Sequence, residues 1–192
     1  RMHALWSLQG LGSLEAADIL KALQDTDGHV REHAVQLAEP LLAQNADLLN
    51  AVPGMANDTD ARVRFQVALM AGNTSADDVT AALSTVAKRD CDDPWTRLAV
   101  LSSLRKAELP FLKNVINDAD FVQQPGGRQM IEQLSFVVGA EKDPAQLQAL
   151  YRELQYLTLP DAEKQIVQRK ILAGLGAGLK RGGQTLEASV PA

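Results

Sequence analysis

DTDGHVREHAV, residues 25–35, returns 33 residues later as DTDARVRFQVA, residues 58–68. Asp27, Val30 and Arg31 fall on Asp60, Val63 and Arg64 without a gap. A third copy, DPWTRLAVLSSL, sets Asp93 and Arg97 another 33 residues along, and Arg128 in QPGGRQMIEQL takes the same place 31 residues after that. Upstream, Arg1, His3 and Ala4 match Arg31, His33 and Ala34 at a spacing of 30. A fixed period in this range marks a repeat array, in which each unit buries its apolar face only against its neighbours.

Each period reads as two helices. Val30, Ala34, Leu37, Ala38 and Leu41 form one apolar stripe at helical spacing along the second helix of the first full unit. Ile19 and Leu23 mark the shorter helix before it; its counterparts carry Leu48, Val52, Met55 and Ala56, then Val79, Ala82, Leu83 and Val86, then Leu147, Leu150, Tyr151, Leu154 and Leu157. Ser13, Asn45 and Ser75 stand where N-caps are wanted, and Asp93-Pro94 and Asp143-Pro144 place a capping acid before a proline at the first helical position. The spacing predicts a lone second helix near 1–11 and helix pairs near 14–42, 46–71, 76–107, 109–140 and 144–180. VQQPGGR reads as a loose connection in the fourth pair, and residues 181–192 as a flexible polar tail. The expected fold is all-α: a right-handed superhelix of about five helix pairs plus one leading helix, filling residues 1–180.

Composition agrees and excludes several classes. Of 192 residues 46% are apolar, enough for a core, but only 4% are aromatic, which favours helix on helix over a sheet. A net charge of −5 gives no field to gather phosphate backbones, so nucleic acid is not an expected partner. The single cysteine, Cys91, has no internal bridging partner and sits in no C-x-x-C or C-x-x-C-H motif. No apolar run is long enough to span a bilayer, so no direct membrane insertion is expected. RMHALWSLQGLG lacks the zones of a secretory signal and opens straight onto a helix pattern, which reads as a piece of a longer protein.

The recurring acids and arginines have a structural reading. Asp27, Asp60 and Asp93 stand at the start of each second helix, where a carboxylate accepts from free N–H groups and meets the positive end of the helix dipole. Arg31, Arg64, Arg97 and Arg128 follow in step. They are expected to form a ladder in which each guanidinium reaches the aspartate of its own or the neighbouring turn.

D-x-D-x-x-V-R-x-x-A followed by a leucine-rich helix resembles the HEAT-like repeat, matched by Asp25 to Ala34 at every defined position. The second copy has Val67 in place of alanine; the third has Cys91 for the first acid and Thr96 for the valine. HALWSLQGLGSL, DGHVREHAVQLAEPLL and DTDARVRFQVAL also look like the HEAT-like segment of PVC-type haem-binding C-x-x-C-H proteins. That resemblance implies a large exported or membrane-associated dehydrogenase-like chain, with a propeller-type region before the repeats and a c-type cytochrome after them. It implies a periplasmic or exported location. It carries no site over, because Cys91 is followed by DDPW and no catalytic residue of that family maps here.

Sharper chemistry finds little footing. HVREH, His29 to His33, has the H-x-x-E-H spacing of inverted zinc peptidases, but it lies inside the repeat and the next copy places Arg62, Phe65 and Gln66 at its defining positions. DTDG lacks the spaced acids and terminal glutamate of a calcium loop. His3 and His33, one above the other on adjacent helices, could share a ligand, but such a pair more often faces solvent or bonds a neighbouring carbonyl. LAGLGAGLKRGG reads as a helix closing on a glycine stop. Trp6 and Trp95 could each anchor a partner in a pocket, and core filling is the preferred reading. No cofactor or metal is expected.

Glu32, His33, Gln36, Phe65, Gln66 and Leu69 project from successive second helices and are the expected inner-surface contacts. Arg62 and Phe65 lie off the stripe set by Val63, Val67 and Met70, a pairing interfaces favour. The expected function is therefore a non-catalytic scaffold whose partners are other domains of its parent chain or another protein. A free-standing adaptor is the first alternative. A HEAT-like enzyme, of lyase or DNA glycosylase type, is the second.

Overall fold

A computed structural model of the chain describes residues 1–72, 77–104 and 107–189, with residues 77–80 and 188 described by their backbone alone. No strand occurs among the described residues. The helices are α1 (Met2–Gly10), α2 (Ala16–Ala22), α3 (Gly28–Ala38), α4 (Ala46–Ala51), α5 (Ala61–Ala71), α6 (Asp77–Asp90), α7 (Pro94–Ser103), α8 (Glu108–Val115), α9 (Ala119–Gln123), α10 (Pro125–Glu141), α11 (Pro144–Gln155), α12 (Asp161–Arg181) and α13 (Leu186–Ser189). Contacts divide the chain into two units, Arg1–Asp90 with Leu98–Ser103, and Cys91–Arg97 with Leu104–Ala192.

In the first unit α1 leads, and the pairs α2/α3 and α4/α5 follow, then α6 with the later turns of α7. Successive second helices stack α1 on α3 and α3 on α5, while α2 packs on α4. This is the solenoid arrangement, in which every interface is between neighbours. The stripe residues are buried: Ile19, Leu48, Val63, Val67 and Met70 are at most 1% exposed. Each such side chain contributes roughly 1.5–3 kcal/mol by leaving water. Two prolines modify the plan. Pro40 and Pro53 cannot donate to a continuing ladder, and the chain tightens to 3-10 helix over Glu39–Gln44 and Val52–Asn57. The change of pitch at Pro40 turns Leu42 into the core and leaves Leu41 half-buried, one residue later than the stripe predicts.

The caps are local. Asn45 Oδ1 accepts the Leu48 N–H at 3.0 Å, and Asp143 Oδ1 accepts the Ala145 N–H at 2.9 Å. At α2 the cap position is Glu15, not Ser13: Asp18 reaches back to the Glu15 N–H at 3.2 Å, while the Ser13 hydroxyl turns to Leu11 O. Ser75 lies outside the described residues, as does the side chain of Val79.

The second unit departs from the two-helix plan. VQQPGGR is no loose connection: α9 closes at Gln123 and α10 begins at Pro125, with both glycines in its first turn. They are there because neighbouring backbone passes close, since a Cβ on Gly126 would lie 1.9 Å from Cys91 O and one on Gly127 2.0 Å from Phe121 O. The α10 helix is capped by Lys142 in the left-handed conformation, φ 56°, and the Lys142 ammonium donates to Gly182 O beyond the end of α12. Tyr151 and Ser189 hydroxyls bond at 2.9 Å, joining α11 to the short helix α13. Residues 190–192 of the sequence-predicted tail lie outside the described residues.

Candidate docking face and the ladder behind it

The D-x-D motif divides its labour. The second aspartate caps: Asp27 Oδ1 accepts the His29 N–H at 3.0 Å, Asp60 Oδ1 the Arg62 N–H at 3.0 Å, and Asp93 Oδ2 the Thr96 N–H and hydroxyl at 2.7 Å. The first aspartate turns the chain into that cap, with Asp25 and Asp58 accepting the N–H groups of Asp27 and Asp60. It also receives the arginine of the preceding repeat. Arg31 grips Asp58 through Nε and Nη2, both at 2.7 Å, while its Nη1 donates to Asp25 O. Arg64 grips Asp90 through the same two atoms at 2.6 Å, and Nη1 donates to Asp58 O and Thr59 O. Arg1 meets Asp25 at 2.9 Å. For Arg1, Arg31 and Arg64 the ladder thus joins the arginine to the acid of the following turn, and that acid is not the capping one. In the third copy Cys91 stands where the acid would be, so the acid comes from Asp90 at the end of α6. Arg97 and Arg128 donate to carbonyls of their own turns, at Cys91 and Asp92 and at Val122 and Gln123.

These contacts set the carboxylate acidities. The Arg31 guanidinium holds Asp58 below the ordinary aspartate value of 3.8 against the opposing effect of burial. Bonds from the Arg62 side chain and its backbone N–H bring Asp60 down to about 2. The Thr96 hydroxyl and N–H lower Asp93. All three folded values lie below the unfolded one, so their stabilisation is fully present above about pH 4 and is lost as pH falls towards 2. We expect the urea midpoint to fall over that window and Asp60→Asn, which keeps a capping side chain, to flatten the fall. An unchanged slope in that variant would remove Asp60 from the account.

With the arginines turned inward, the opposite face of the second helices is open. His33 Nδ1 accepts from Trp6 Nε1 at 3.3 Å, and the two rings meet edge to face at 5.9 Å. Glu32, His33, Phe65 and Gln66 are half-buried; Gln36 and Leu69 are exposed. Arg62 is exposed but committed, with Nη2 on Asp60 at 2.8 Å and Nη1 donating to His29 Nε2 at 2.6 Å. His29 and His33 therefore serve different neighbours, and among the described residues no group of three or more His, Cys, Asp or Glu is placed to hold a metal ion. Cys91 is buried, and burial with the nearby Asp92 pushes its thiol up to about 11.

The tryptophans do not fill the core: Trp6 is 39% and Trp95 70% exposed. On α1 the buried side chain is Leu5, and Trp6 turns instead to His33 of the next second helix. Leu98, 58% exposed, is hard to place from sequence because LAVL, residues 98–101, is apolar on every side of a helix. The repeat itself points to it, since Phe65 plus one period of 33 is Leu98. In the second unit a separate cleft of about 420 Å³ is walled by Phe136, Val137, Gly174 and Ala177, with Glu132 bound to Lys170 at 2.6 Å.

Stacked helix pairs, capped by one acid and tied by another, define an all-α protein of the solenoid class. The HEAT repeats family profile matches residues 16–105, the stretch from α2 through α7, and that stretch is built of HEAT-like repeats. No curated protein and no solved structure matches the chain. Among the described residues no helix is long and apolar enough to cross a membrane.

Proposed function

We propose that the first unit is a non-catalytic scaffold that holds another protein, or another domain of a longer chain, on the exposed face of its second helices. The observation that supports this reading is the apolar surface left on repeats whose general business is protein interaction. Leu69 and Leu98 are 43% and 58% exposed, Trp6 is exposed on α1, and Phe65 is half-buried. Solvated apolar side chains on several second helices gain free energy when a partner covers them. The finer reading, that the longer chain is a dehydrogenase-like haem-binding protein, draws on the resemblance of residues 3–14, 27–42 and 58–69. Its test is the encoded sequence on either side, where a downstream C-x-x-C-H motif is expected.

The docking reading is tested with a photo-crosslinking residue at position 69, compared with one at the exposed Lys21 on α2. A defined adduct is expected from position 69 in the cells that make the protein, and none from position 21. Leu98→Ser should reduce it severalfold. Equal adducts from both positions, or none from either, would count against a specific face.

A further inference from the structure

We propose that the occupant of this face is a basic amphipathic helical segment of a polypeptide, an inference that rests on the docking reading above. The charge of the chain is unevenly placed. The first unit holds seven Lys and Arg against twelve Asp and Glu, whereas the second holds twelve of each, so the whole formal charge of −5 belongs to the first unit. The ladder sharpens this imbalance. Arg1, Arg31 and Arg64 are consumed by Asp25, Asp58 and Asp90, which leaves four bases facing nine acids in the rest of the unit.

On the face itself the arrangement is polarised. Phe65 and Leu69 stand one turn apart on α5, and Leu98 takes the same register position as Phe65 one repeat on. Asp60, Glu32 and Asp27 gather their negative charge about Arg62, three residues before Phe65, and Arg62 is bound to Asp60 at 2.8 Å. A partner that fits must bring apolar side chains to the centre and cations to the rim. A helix with leucines at i, i+3, i+4 and i+7 and lysines elsewhere presents both. Its charge also sets the salt dependence of binding, since rim carboxylates are screened beyond a Debye length of about 8 Å at physiological ionic strength.

The probe is a set of three synthetic peptides: a Leu/Lys helix of that pattern, the same residues scrambled so that leucines no longer share a face, and a Leu/Glu helix. Each is titrated onto the full chain carrying Trp95→Phe, so that Trp6, bonded to His33 on the face, is the reporting fluorophore. We expect the Leu/Lys helix to bind at least about tenfold tighter than either control. Leu69→Ser with Leu98→Ser, both exposed and therefore compatible with folding, should weaken it about tenfold, a difference of about 1.4 kcal/mol. Glu32→Gln should weaken it severalfold at low salt and less at high salt. Equal binding of the scrambled or the acidic peptide, or no effect of the leucine changes, overturns the proposal. If no peptide binds yet position 69 yields its defined adduct, the basic occupant is wrong and the docking face stands; if both experiments are blank, both readings fall.

Discussion

Asp90→Ala is expected to lower the stability of the first unit by about 3–5 kcal/mol, the range for stranding one member of a buried ion pair. The side chains of Arg64 and Asp90 are 6% and 16% exposed, so neither charge returns to water when the other is removed. Arg64 would keep its bonds to Asp58 O and Thr59 O but lose both contacts from Nε and Nη2 to the carboxylate. Urea unfolding in a Trp95→Phe background, followed by far-UV circular dichroism and Trp6 fluorescence, measures the change. The paired replacement Arg64→Met with Asp90→Leu should recover most of it, because apolar residues of similar volume leave no uncompensated charge. Arg1 and Asp25 supply the contrast. The Arg1 side chain is 63% exposed, and its pair contributes at most about 1 kcal/mol after solvent screening. A loss below about 1 kcal/mol for Asp90→Ala would place the inner rung with that outer one and deny the ladder its part in holding the repeats together.

Why some of this can be read from sequence and some cannot follows from range. Asp27 and the N–H it accepts lie two residues apart, and local relations of that kind are written in a short stretch of chain. Which acid an arginine meets is a different matter, because it depends on how far one repeat rises over the next. Asp58 lies 27 residues from Arg31, one period less the six residues from motif acid to arginine, but that the arginine meets the next turn's acid and not its own is decided by the packing of α3 on α5, and Asp90, 26 residues from Arg64, stands in beside Cys91. The helix pairs are legible because their stripes repeat every three or four residues, and the family profile covers the stretch that holds the three motif copies. The tryptophans misled because size argues for burial, whereas position in the repeat places them outward. Glycine misled for the opposite reason. QPGGR has the composition of a loop, yet Gly126 and Gly127 begin α10 because carbonyls of Cys91 and Phe121, distant or preceding in sequence, leave no room for a Cβ.

The same contact between backbones governs α12, and three alanines on that one helix separate packing from propensity. A Cβ on Gly174 would lie 2.1 Å from Glu132 O, and one on Gly178 2.2 Å from Phe136 O, so either substitution must push α12 away from α10. Separation is costly because Ile171, Leu175 and Leu179 on one helix and Leu134 and Val138 on the other are fully buried. Dispersion falls off within an ångström of added gap. We expect Gly174→Ala to cost about 2–3 kcal/mol, and the double change with Gly178→Ala to exceed 3 kcal/mol, enough to abolish cooperative unfolding of the second unit. Gly176→Ala meets only the tip of the Leu186 side chain, which can turn aside. There the gain in helix propensity, up to about 1 kcal/mol, should dominate and leave the protein as stable or more so. Propensity has the same sign at all three positions, so it cannot by itself produce opposite outcomes. Thermal unfolding of the three single variants decides the matter: a uniform gain would mean that α10 and α12 do not touch through their backbones, while a loss at 174 and 178 with none at 176 ties the second unit to that contact.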